Sequence, residues 1–136
     1  MKKVVLITIL AVIACGVITV VNISDSNNLP YKYSGVLGAQ IMAANGQLID
    51  VRESNEYAIE HANGAVNVPL SDIKKGNYSN IDKTKPVYVY CKSGIRAATA
   101  KKLLEKAGYG SVTNIGGITN WQNQGGSVCR TNKVSC

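Results

Sequence analysis

The sequence predicts an α/β domain: a mostly parallel central sheet with helices on both faces, preceded by an N-terminal hydrophobic helix. Three observations carry that expectation. Short apolar, β-branched segments alternate with helical patterns from Ser34 to Trp121. The chain has 136 residues, 46% of them hydrophobic and 17% charged, which suits one folded core and excludes a disordered chain. Residues 4–23, VVLITILAVIACGVITVVNI, form a nearly unbroken apolar run behind Met1-Lys2-Lys3.

That run comes first in chain order. At helical rise its twenty residues match the roughly 30 Å hydrocarbon thickness of a bilayer, and no polar face fits it for a soluble core. Lysines precede the run and none follows it closely, so the expected orientation leaves the rest of the chain outside the cytoplasm, exported or periplasmic, tethered at its N-terminus. Two other fates stay open. Ser24-Asp25-Ser26 supplies small residues for a cleaved signal segment, and Val12-Ile13-Ala14-Cys15 is similar to a lipoprotein lipobox with Cys15 lipidated. Residues 24–33, polar with one proline, read as a linker, so the expected domain runs over 34–128 with a cysteine-containing tail at 129–136.

Within the domain, Val36-Leu37, Ile41 and Ala44 recur at helical spacing before the Asn45-Gly46 stop. Leu48–Val51 reads as a short strand, Ser54–Glu60 as a short helix and Ala65–Val68 as a second strand ended by Pro69. Residues 71–86 are polar and irregular, with Ser71 able to cap one helical turn. Val87–Tyr90 is the clearest strand, and Ala97–Ala107 the clearest helix, with Ala100, Leu103, Leu104 and Ala107 on one face and Gly108 as its stop. Ser111–Ile115 is a further strand, and Gly116-Gly117 turns into a short helix around Trp121, which reads as core.

The charge balance narrows the partners. Without residues 1–23 the chain keeps 13 basic and 8 acidic residues, an excess of five. A basic surface of this size suits anionic small substrates or an anionic membrane. No stripe of Lys/Arg with interleaved aromatics is present, so nucleic acid is not an expected partner.

Ligands of parallel sheets bind beyond the carboxyl ends of the strands, which points to Cys91-Lys92-Ser93-Gly94-Ile95-Arg96 after the clearest strand. The loop's backbone N–H groups, the N-terminus of the following helix and the Arg96 charge all favour a thiolate over a thiol. Gly94 leaves room for such a cradle. Cys91 is therefore the candidate nucleophile.

At this point the sequence resembles a single-domain rhodanese, a sulfurtransferase of the small exported bacterial kind. The matching pieces are Leu48-Ile49-Asp50-Val51-Arg52-Glu53, Glu56-Tyr57, His61, Gly64–Pro69, Val89–Arg96, Ala107-Gly108-Tyr109, and Ile115–Ile118 with Trp121. The resemblance implies a rhodanese-like fold and a ping-pong cycle in which the Cys91 thiolate takes the outer sulfur of a small anionic donor such as thiosulfate. The persulfide then passes sulfur to cyanide, a thiol or a protein acceptor. It places Lys92, Ser93, Gly94, Ile95 and Arg96 as the substrate cradle, with Arg96 steering the anion. Asp50 and Arg52 fall at the rim or serve as structural support. No metal and no organic cofactor is implied. His61 departs from the family pattern in having Glu60 and Ala62 beside it, and reads as a turn-holding residue. The competing reading is a persulfide carrier or thiol-redox module serving a partner protein.

Related phosphatases and arsenate reductases carry one more residue between cysteine and arginine than the four found here, so the shorter loop suits a sulfur atom better than a tetrahedral oxyanion. Cys129 and Cys136 are candidates for a disulfide, given an oxidising compartment, or for a pair that resolves the persulfide.

Overall fold

The computed structural model describes residues 32–131. The apolar run, Cys15, most of the linker and residues 132–136 with Cys136 lie outside the described residues. In chain order the elements are α1 (Gly35–Ala43), β1 (Gln47–Asp50), α2 (Ser54–Ile59), β2 (Glu60–Ala62), β3 (Val66–Asn67), α3 (Leu70–Lys74), β4 (Val87–Cys91), α4 (Ile95–Lys106), β5 (Val112–Gly117), α5 (Ile118–Asn123) and β6 (Val128–Arg130). Four strands form a parallel sheet in the order β3-β1-β4-β5, and β2 pairs antiparallel with β6 in a separate ribbon.

The alternation of side chains along β1 and β4 feeds two cores, one on each face of the sheet. Ile49, Val87, Val89 and Cys91 pack with Ile73 of α3 and with Ala97, Ala100 and Leu104 of α4. Leu48 and Tyr90 point the other way, to Ile41 of α1 and to Ile118 and Trp121 of α5. Both faces are apolar because both are covered, and each large side chain so buried stabilises the fold by about 1.5–3 kcal/mol.

Helix α4 runs back along the sheet and ends in a Schellman turn. Gly108 has φ +90°, and the Tyr109 and Gly108 N–H groups donate to Leu104 and Glu105 carbonyls at 3.1 and 3.0 Å. Its antiparallel course puts the N-terminus of α4 at the carboxyl end of β4, directly after Cys91.

Several elements differ from the sequence expectation. Glu60 leaves α2 for β2, and only Val66–Asn67 of the Ala65–Val68 segment makes strand pairing. The one helical turn expected within residues 71–86 is α3, which starts at Leu70 behind Pro69 and not under a Ser71 cap. Cys129 and Arg130, placed in the tail by sequence, belong to β6, where Cys129 pairs with His61. Such three-residue strands have no period to read and exist only through their partner. Finally, α4 begins at Ile95 rather than Ala97, which shortens the loop after Cys91 to Lys92–Gly94.

Candidate active site

Cys91 is the last residue of β4 and is fully buried. Lys92 and Ser93 are exposed, and Gly94 turns the chain into α4 with φ +94°, a left-handed conformation that favours glycine. The Gly94 N–H donates to Cys91 Sγ at 3.0 Å. Burial alone would raise the Cys91 thiol. The backbone N–H groups of Ala97, Ser93, Gly94 and Arg96 outweigh it and hold the pKa below the ordinary thiol value. The cradle is thus made of main-chain dipoles from one tight turn and the first turn of α4.

Strand β5 props this turn from below. Its pairing with β4 steps from Val89–Asn114 to Cys91–Gly117, so β5 carries one extra residue, absorbed by Gly116 at φ +88°. Asn114 Nδ2 donates to the Gly94 carbonyl at 3.0 Å, and Asn114 Oδ1 accepts the Gly116 N–H at 2.8 Å. A Cβ on Gly117 would lie 2.3 Å from the Lys92 carbonyl oxygen, so the strand and the loop touch backbone to backbone.

Arg96 is not a free charge at the rim. Its guanidinium is bidentate to Glu56 of α2, with Nη1–Oε2 at 2.6 Å and Nη2–Oε1 at 2.8 Å. The Arg96 hydrogen bonds, working against burial, hold the Glu56 carboxyl down to about 2. Arg96 is raised in turn, first by Glu56 and to a smaller degree by the Cys91 sulfur. Glu56 also closes the start of α2 in a capping box with Glu53, and Ser71 Oγ donates to Glu53 Oε2 at 2.9 Å. Ile95, expected in the cradle, turns its side chain outward and is 76% exposed.

Asp50 and Arg52 form a buried ion pair, and Arg52 also reaches the rim of a cleft beside the loop. The Asp50 carboxylate accepts the Arg52 backbone N–H at 2.9 Å, Arg52 Nη2 at 2.6 Å and the Tyr90 hydroxyl at 2.6 Å. Burial, and then the Asp50 charge, push the Tyr90 phenol far above its usual value, which keeps it a donor. Arg52 Nη2 reaches on to the Glu60 carbonyl at 2.5 Å. One edge of Arg52 and the Glu56 side chain border an open cleft of about 370 Å³, which Lys92 and Thr119 also line. His61 stacks on Tyr57 with ring centroids 3.8 Å apart, and its Nδ1 lies 2.9 Å from the Tyr57 carbonyl. Cys129 is disulfide-bonded, and Cys15 and Cys136 both lie outside the described residues.

A cysteine held by main-chain N–H groups between a parallel strand and a helix is the feature on which comparison with known proteins turns. Residues 36–124 match the model of the rhodanese-like domain. The chain belongs to the rhodanese-like family. Among curated relatives it is 43% identical over 76 residues to the uncharacterized protein YqhL of Bacillus subtilis, covering 55% of this chain and 60% of that protein. It is 41% identical over 71 residues to the thiosulfate sulfurtransferase PspE of Escherichia coli, covering 52% of this chain and 68% of that protein. A solved rhodanese with anions from E. coli superposes with a TM-score of 0.51 at 38% identity, covering 55% of this chain and 89% of that one. The chain therefore spans only about three fifths of YqhL.

Glu56 and Asn114 had no assigned role in the sequence reading. A carboxylate forty residues before an arginine carries no local signal. Asn114 falls inside the Ser111–Ile115 strand pattern and carries none either.

Proposed function

We propose that the chain is a sulfurtransferase that carries sulfane sulfur on Cys91. The observation that carries this reading is the ring of N–H groups around Cys91 Sγ, which overcomes burial and favours the thiolate. The thiolate attacks the outer sulfur of thiosulfate, an S–S bond forms, and sulfite leaves with the electrons of the broken bond. The negative charge then rests on the terminal sulfur of the persulfide, where the N–H groups of the turn can follow it. Cyanide attacks that sulfur, leaves as thiocyanate and returns the thiolate. A thiol acceptor leaves instead as a persulfide.

Thiosulfate is the donor proposed from the likeness to PspE. The formal charge left to meet it is Lys92, because Arg96 is engaged by Glu56. The same engagement favours, as second reading, a carrier charged by a partner protein's persulfide. We place the domain outside the cytoplasm, with residues 4–23 as the tether. Intact mass tests the cycle. Incubation with thiosulfate should add about 32 Da, one persulfide sulfur. Cyanide should remove that mass, and C91S should never gain it. A folded wild-type chain that gains mass from a protein persulfide and none from thiosulfate would establish the carrier reading instead.

A further inference from the structure

The charges of the described residues divide between the two ends of the sheet. At the catalytic end Arg52, Lys92, Arg96 and Arg130 stand against Asp50, Glu53, Glu56 and Glu60. All three arginines there are paired, Arg52 with Asp50, Arg96 with Glu56 and Arg130 with Glu60. That end is formally neutral. The other eight basic residues, all lysines, meet only Asp72, Asp82 and Glu105. The whole basic excess of the described residues therefore sits away from Cys91.

The contacts place five of these lysines at the amino-terminal end of the sheet. Lys85 stands two residues before the first residue of β4, and Gln47, the first residue of β1, hydrogen-bonds Asp82 in both directions. Lys83 Nζ donates to the Ala107 carbonyl at the C-terminus of α4, at 2.8 Å. Lys106 and Lys74 border one cleft with Ala107. Lys85 and Lys32 border another with Gln47. All five side chains are exposed.

The described chain begins at this same end. Lys32 opens the described chain, and eight residues separate it from Ile23, the last of the apolar run. Fully extended, eight residues reach about 28 Å, so the end that carries Lys32 and Lys85 is the end kept near the bilayer. Anionic headgroups attract lysines within about a Debye length, roughly 8 Å at physiological salt.

We propose that the lysine-rich end is a docking face for the anionic lipid surface of the membrane. Docked there, the domain holds the Cys91 loop and the cleft that Lys92 borders at the opposite end, open to donors and acceptors in solution. The inference rests on the membrane attachment proposed above, and the experiment separates the two.

The full chain is mixed with phosphatidylcholine vesicles, or with vesicles of phosphatidylcholine and phosphatidylglycerol, floated, and acetylated at lysine. Flotation with neutral vesicles reads the apolar attachment alone. On the anionic vesicles Lys74, Lys83, Lys85 and Lys106 should label several-fold more slowly than on neutral ones, and high salt should erase the difference. Lys92 should label alike on both. In K74Q/K85Q/K106Q the protection read at Lys83 should vanish, since each lysine contributes about fivefold to partitioning. That variant should still form the Cys91 persulfide.

Flotation with anionic vesicles only would refute the apolar attachment and leave the docking face standing. Flotation with both, with equal lysine labelling, would overturn the docking face and leave the attachment. No flotation with either would overturn both. Protection of Lys92 would place the wrong end on the membrane.

Discussion

Replacing Asp50 by asparagine tests what the first strand's acidic residue does. The carboxylate is fully buried and accepts three hydrogen bonds from Arg52 Nε and Nη2, one from the Arg52 backbone and one from Tyr90. Asn keeps the shape, loses the charge and turns an amide N–H₂ toward donors. Arg52, 6% exposed, is then a buried cation without its counter-ion. Breaking one side of such a pair costs about 3–5 kcal/mol. With a urea m-value on the order of 1–2 kcal/mol/M, the unfolding midpoint should fall by about 1.5 M or more at unchanged m. The double variant D50L/R52M removes both charges and should recover most of that loss, because the buried cation is gone. Urea unfolding followed by far-UV circular dichroism measures all three proteins. A D50N cost under about 1 kcal/mol, or a double variant no better than D50N, would refute the uncompensated-charge reasoning.

Three further outcomes follow from the geometry. Glu56 titrates near 2 against an ordinary 4.5, so its pair with Arg96 stabilises fully above about pH 4.5 and fades as pH falls toward 2. The urea midpoints of wild type and E56Q should therefore differ at pH 6 and converge in that acid window; a gap that stays constant would remove the pair as its cause. G94A puts a Cβ on a residue at φ +94°, 3.2 Å from Gly116 Cα, so the turn should shift and the pH midpoint of Cys91 alkylation should rise toward that of an ordinary thiol. Removing both Asn114 bonds in N114A should cost about 1–3 kcal/mol and also raise the alkylation midpoint, and an unchanged midpoint would show that the turn holds its shape without β5.

What the sequence disclosed, and what it did not, divides by the range of the interaction. β4 was legible because Val87–Tyr90 is β-branched and aromatic, and α4 because Ala100 and Leu104 repeat at helical spacing. The Cys91 turn was legible because a glycine between a strand and a helix has a local reason to be there. The limits of that turn were not. Ile95 and Arg96 were placed in the loop, but the left-handed Gly94 lets α4 start at once. The β2–β6 ribbon was hidden because each strand is only three residues long and shows no period; Val128–Arg130 is held by register with Glu60–Ala62, nearly seventy residues away. The partner of Arg96 was hidden by distance along the chain as well. Its charge was visible in the sequence, and its neutralisation by Glu56 was a property of the fold.

That neutralisation changes the account of the site. If Arg96 were free, the attraction of an anion to Cys91 would rest on a full charge, screened by salt and reaching several ångströms. With Arg96 bidentate to Glu56, its charge meets the sulfur already balanced by a carboxylate, and the backbone N–H groups act on the sulfur within hydrogen-bond distance. Such a cradle stabilises charge on an atom already in contact and does little to gather ions from a distance. The ion pair has a mechanical role as well. It ties the first turn of α4 to α2, just as Asn114 ties Gly94 to β5, so the N–H groups are fixed before any substrate arrives. Preorganised donors of this kind need no rearrangement when negative charge moves, as in the persulfide cycle proposed above, from the cysteine sulfur to the sulfur attached to it.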